Sequence, residues 1–170
     1  MIRRLTLAAA AAALLLPQCG AAQFPRAEEV VQVRVEPASL KSKAAARPGA
    51  PWAPAAATFV AVIQQGFHIN SNQPSESYLI ASRVELLDAG PFTLDKIDYP
   101  KGELKTFDFA PDEKLSVYEG TVKLPLRLRA KAGTRAGSHT LRLAFHYQAC
   151  NDQVCLQPAK REATLKVELE

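Results

Sequence analysis

The sequence predicts an all-β protein, an immunoglobulin-like antiparallel β sandwich, and three observations carry that expectation. Short runs of alternating apolar and polar residues recur along the chain, such as Val122, Leu124, Leu126 and Leu128 against Lys123, Pro125, Arg127 and Arg129. A period of two buries one face of a strand. Turn residues punctuate the runs at Gly66, Gly90-Pro91, Pro100-Lys101-Gly102, Gly133 and Gly137. No stretch spaces its apolar residues as an amphipathic helix does. About seven to nine short strands with turns between them point to a sandwich.

The start of the chain stands apart. Arg3 and Arg4 precede an apolar run from Leu5 to Leu16, and Gly20-Ala21-Ala22 supplies small residues for a signal peptidase. Residues 1–22 are therefore read as a cleavable signal peptide, too short in its apolar run for a stable membrane anchor. Pro17 and Gln18 occupy the places before Cys19 where a lipoprotein signal has small residues. Cys19 is read as leaving with the leader, with a lipid anchor there as the alternative. The mature remainder, 23–170, is expected to form one domain overall: an N-terminal strand and Ala/Pro-rich connector over 23–57, then the sandwich over 58–170.

Val31, Val33 and Val35 alternate with Gln32, Arg34 and Glu36, which predicts a half-buried strand. Pro48, Pro51 and Pro54 make 44–57 a connector, because proline blocks ladder pairing. Trp52 within it is expected to fold back on the core. Thr58–Ile63 reads as a strand and Phe67–Pro74 as a polar loop with His68. Tyr78–Leu87 is a third apolar run, and Phe92–Tyr99 a short strand. Leu104–Lys114, with its acids and Pro111, reads as a packed loop, and Leu115–Tyr118 resumes strand character. Pro125 suggests an edge or a bulge. Leu141, Leu143, Phe145 and Tyr147 face inward on the clearest strand, and Cys150 continues the outward phase of His146 and Gln148. Leu165, Val167 and Leu169 mark the last strand. Phe67, Tyr78, Phe92, Phe145 and Tyr147 are core candidates, with Tyr147 bordering the cysteines.

Charge excludes little. The chain carries +4, and losing Arg3 and Arg4 with the leader leaves +2. No basic stripe interleaved with aromatics suggests nucleic acid. No nucleophile–base–acid set and no Gly-rich phosphate loop can be assembled. The scattered histidines His68, His139 and His146 lack the paired spacing that would make a zinc site with two cysteines. Neither a metal nor another cofactor is expected, and a monomer is.

The remaining chemistry lies in Cys150 and Cys155. If the flanking runs pair as a hairpin, the two sulfurs face each other within disulfide reach, and an exported chain with two cysteines pairs them by default. So short a loop yields only about 2 kcal/mol of stabilisation by the chain-entropy estimate. Spacing alone leaves two readings open: a structural bond stiffening the recognition hairpin of a non-catalytic adaptor, and a pair that opens and closes.

The stretch Tyr147-Gln148-Ala149-Cys150 with Cys155-Leu156-Gln157-Pro158 resembles the redox hairpin of the N-terminal periplasmic domain of the DsbD thiol:disulfide interchange proteins. The resemblance takes in Gly66-Phe67-His68-Ile69-Asn70-Ser71-Asn72, the Tyr99-Pro100-Lys101-Gly102 turn and Val117-Tyr118-Glu119-Gly120. It implies an immunoglobulin-like periplasmic domain that works as a protein-disulfide reductase, with Cys150 and Cys155 as the redox pair and Cys155 forming the mixed disulfide. It also implies a cap loop whose aromatic shields the disulfide, matched best here by Phe109 beside Asp108, with Phe107 as the other choice. Full-length relatives carry a membrane domain and a thioredoxin-like domain, and the sequence shows neither. A separate DsbD-type membrane donor and thioredoxin-like periplasmic partners are therefore expected. Asp152 and Asp108 are expected to raise a cysteine pKa by like-charge repulsion and damp its reactivity.

Overall fold

The computed structural model describes residues 25–37, 39–43, 52–88 and 90–170. The leader, Cys19 and most of the Ala/Pro-rich connector lie outside the described residues.

Alternation decides which face of each strand is dry. In β9 (Thr121–Ala130) the side chains of Val122, Leu124, Leu126, Leu128 and Ala130 are buried while Lys123, Pro125 and Arg127 face water. This strand is an inner member of a four-stranded sheet ordered β1 (Val31–Glu36), β3 (Ala55–Ile63), β9, β6 (Phe92–Ile97). Pro125 thus sits on an inner strand, not an edge. Its carbonyl accepts from Asp98 N–H at 2.8 Å, just beyond the end of β6. A residue of an antiparallel strand aims its N and C=O to one side, so the missing N–H falls where β6 has already stopped. The irregularity expected near this proline lies in β6, between Leu94 and Lys96.

The second sheet is ordered β2 (Ser39–Ser42), β12 (Ala159–Leu169), β10 (Gly137–Tyr147), β5 (Arg83–Leu87). All pairings are antiparallel except β2 on β12. Leu141, Leu143, Phe145 and Tyr147 of β10 and Leu165, Val167 and Leu169 of β12 meet the first sheet in one core. Phe59 of β3 and Phe145 lie 5.6 Å apart between ring centres across that core. Trp52 packs there as expected, its indole N–H donating to the Thr134 carbonyl at 3.2 Å. A single helical turn, α1 (Ala27–Val30), closes one end, where the Tyr147 hydroxyl donates to the Ala27 carbonyl at 2.9 Å.

A third sheet sits at the edge of the sandwich and carries the cysteines: β11 (Ala149–Cys150), β4 (His68–Asn70), β8 (Ala110–Tyr118), β7 (Glu103–Phe107). Three expectations are corrected here. The segment from Leu104 to Lys114 is not a packed loop but the β7–β8 hairpin, turning at Asp108-Phe109. His68 belongs to no loop, because it is buried in β4. Cys150 does not face outward with His146: the chain leaves the second sheet after Tyr147 and enters the third, so the phase of β10 no longer applies, and Cys150 is 2% exposed. Tyr78 also leaves the expected core. It precedes β5, is 69% exposed, and donates its hydroxyl to Glu113 Oε2 at 3.0 Å.

Candidate functional site

The cysteine hairpin is held by its own backbone. Leu156 N–H donates to the Ala149 carbonyl at 2.8 Å, and Asn151 N–H to the Val154 carbonyl at 3.0 Å. The Asn151 side-chain oxygen accepts from the N–H groups of Gln153 and Val154 at 2.9 and 2.8 Å. Asparagine is suited to that local turn. Cys150 and Cys155 face each other as an antiparallel pair and are joined as a disulfide. The two halves of the bond differ. Cys150 is buried and Cys155 is exposed.

Gly66, at φ 83°, makes the turn that delivers β4, a backbone region where glycine carries no steric penalty. His68 then lies directly opposite Cys150, and Ile69 opposite both Ala149 and Tyr118. The His68 ring stacks on Phe107 at 4.0 Å, and Phe107 on Phe109 at 5.5 Å. Phe107 is buried with Leu115 and Val117, whereas Phe109 at the hairpin tip is 45% exposed. Phe109, Tyr78, Leu79, Leu115 and Gln148 line a cleft of about 540 Å³ into which Cys155 opens. A second cavity, of about 370 Å³, is lined by His68, Glu119 and Asp152 among others.

The separate pieces of sequence that carried the resemblance meet behind this site. The Tyr118 hydroxyl donates toward Asn72 Oδ1 at 2.6 Å and the Pro100 carbonyl at 2.8 Å. Gly102 lies so near β8 that a Cβ would collide with the side chains of Ser116 and Ser71.

Burial holds the His68 pKa below the usual histidine value, with Glu119 and Asp152 pulling it up and Lys105 pushing it further down. The unfolded state therefore takes up a proton that the folded state resists. The contribution of neutral His68 to stability is full above the unfolded pKa of about 6.5 and is lost as pH falls below it. Urea unfolding between about pH 7.5 and 5 is expected to show that fall, and His68→Phe to flatten it. An equal slope in both proteins would refute the assignment.

Of the residues singled out in the sequence, Cys150, Cys155, Phe107 and Phe109 come together in one region. Asp152 lines the His68 cavity, and Asp108 occupies the β7–β8 turn. Neither lines the Cys155 cleft; the acids there are Asp112 and Glu113. Tyr147 is fully buried, with its hydroxyl on Ala27 and burial raising its pKa to about 12. It supports the core and does not border the cleft. His146 pairs with Glu85 at 2.8 Å. The reading by strand phase passed over His68. Its strand, His68-Ile69-Asn70, begins two residues after the turn glycine Gly66 and is too short for alternation to register. Among the described residues no group of three or more His, Cys, Asp or Glu is placed to hold a metal ion.

An immunoglobulin-like sandwich that presents one half of a disulfide to solvent and buries the other has the parts of a thiol–disulfide interchange domain. The family model for the N-terminal region of the thiol:disulfide interchange protein DsbD matches residues 36–167, and the chain belongs to that family. Among solved structures it is similar to the N-terminal domain of DsbD from Neisseria meningitidis in the reduced form, at 19% identity and a TM-score of 0.43, over 66% of this chain and 77% of that one. It is also similar to the N-terminal periplasmic domain of ScsB from Proteus mirabilis, at 12% identity and a TM-score of 0.52. That match covers 84% of this chain and 49% of the other, so the chain spans about half of that structure, and the likeness is one of fold. A comparison with curated proteins finds no match. Among the described residues no helix is long and apolar enough to cross a membrane.

Proposed function

We propose that the domain works in the periplasm as an electron relay. It accepts electrons from a separate membrane donor of DsbD type and passes them to thioredoxin-like partner proteins by opening and closing the Cys150–Cys155 bond. The observation that carries this reading is the asymmetry of the pair, with Cys155 exposed beside an open cleft and Cys150 buried. In exchange, the exposed thiolate forms the mixed disulfide with a partner and the buried thiol resolves it. Phe109, at the rim of the Cys155 cleft, serves in this reading as the shielding aromatic of a cap formed by the β7–β8 hairpin.

Equilibration of the domain against redox buffers tests it. The expected result is a potential in the range of exchange catalysts, above about −300 mV. A lower value would assign the bond to scaffolding and leave the domain as a binding module.

A further inference from the structure

A thiol buried among apolar side chains is a poor nucleophile, because burial disfavours its thiolate. Cys150 is 2% exposed, and its neighbours Ala149 and Ile69 are fully buried. Exchange nevertheless requires Cys150 to attack the bond between Cys155 and a partner sulfur. A base inside the sheet removes that obstacle. His68 stands directly opposite Cys150 on one side, and Cys155 stands opposite it on the other. Directly opposed residues of an antiparallel pair share a face, with Cβ atoms about 4.5–5.5 Å apart. His68, Cys150 and Cys155 therefore form one row across the sheet. We propose that His68 is the proton acceptor that activates Cys150 as the resolving nucleophile, a role that rests on the exchange function proposed above.

The surroundings of the imidazole suit the task. Its face is held by the stack on Phe107, and its side chain lines a cavity shared with Glu119 and Asp152. It is 3% exposed, and burial keeps it neutral and so able to accept a proton. The charged groups that act on it are Glu119 from the β8–β9 turn, Asp152 from the cysteine hairpin and Lys105 from β7. The two acids favour the imidazolium once it forms. Lys105 opposes it, but its ammonium is paired with Glu119.

Cys155 has attacked a partner disulfide and released the first partner thiol. The Cys150 thiol then gives its proton to His68, and the thiolate attacks Cys155 Sγ. The Cys150–Cys155 bond forms and the bond from Cys155 to the partner sulfur breaks. The partner thiolate leaves and takes up the proton held by His68. Two electrons have passed from the dithiol to the partner's disulfide.

The aromatic disulfide DTNB, mixed with the reduced full chain, separates the two attacks. The first thionitrobenzoate released reports attack by Cys155. The second, released at a rate independent of DTNB concentration, reports attack by Cys150. His68→Phe, which keeps a ring to stack on Phe107, is expected to slow the second release about tenfold or more and leave the first unchanged. The wild-type second phase is expected to rise with pH through a histidine titration that the variant lacks. His68→Gln, with no ring, is expected to show the same loss and guards against a packing fault peculiar to phenylalanine. Folded variants that release the second equivalent as fast as wild type, with the same pH profile, would overturn the proposal. A wild-type domain that never releases a second equivalent would instead remove the exchange function itself.

Discussion

Cys150→Ala is expected to turn the domain from a carrier into a trap. With Cys155 exposed at the cleft and its resolving thiol gone, the mixed disulfide to a partner has no intramolecular exit. A positioned thiol in the same molecule acts at an effective molarity far above the millimolar level of external thiols, so the adduct is expected to live on the order of 10³-fold longer than in wild type. The mirror variant, Cys155→Ala, is expected to give no adduct, because the sulfur that remains is 2% exposed. Non-reducing electrophoresis and mass spectrometry of periplasmic extracts expressing each variant measure this difference directly. Equal trapping by both variants would mean that the asymmetry of burial does not direct the chemistry. Loss of the bond removes only about 2 kcal/mol of chain-entropy stabilisation for so short a loop, so both variants are expected to stay folded.

The strands of the sandwich were legible because each keeps one dry face and one wet face from end to end. β9 and β12 each remain in a single sheet, and their alternation is written without interruption in Val122–Leu128 and Leu165–Leu169. The site was harder to read because its elements break that condition. Cys150 lies just past a change of sheet, where extrapolating the phase of β10 points it to the wrong side. β4 is three residues long with all three buried, so His68 leaves no alternation to see. The outer half of β8 has Pro111, Asp112, Glu113 and Lys114 all exposed. A hairpin arm that projects beyond the core has no buried face to record, so its ladder with β7 leaves no apolar pattern. What remained visible was chemistry: two cysteines five positions apart at the end of a strand. The order of motifs around them was also visible, and Tyr118, Asn72, Pro100 and Gly102 now give that order a physical reason.

The two phenylalanines of the β7–β8 hairpin are expected to behave oppositely, although the sequence placed them as alternatives for one role. Phe107 is 8% exposed and packs with Leu115 and Val117 beneath the His68 ring. Its truncation to alanine opens a cavity in that small cluster and is expected to cost about 3 kcal/mol, the lower end for a buried phenylalanine. Phe109 is 45% exposed and rests on Phe107 at 5.5 Å while walling the Cys155 cleft. Phe109→Ala is expected to change stability by under about 1 kcal/mol, as an exposed side chain does. Its effect falls on access. In the reduced wild-type domain, alkylation by iodoacetamide near neutral pH is expected to be slow, because the Phe109 ring walls the cleft into which Cys155 opens. Phe109→Ala is expected to speed alkylation of Cys155 several-fold, and Phe107→Ala to lower the urea midpoint. Denaturation curves and alkylation rates on the two variants settle the division: if Phe107→Ala alone exposes the thiol at unchanged stability, the shielding ring is the inner one and the cap assignment passes to it.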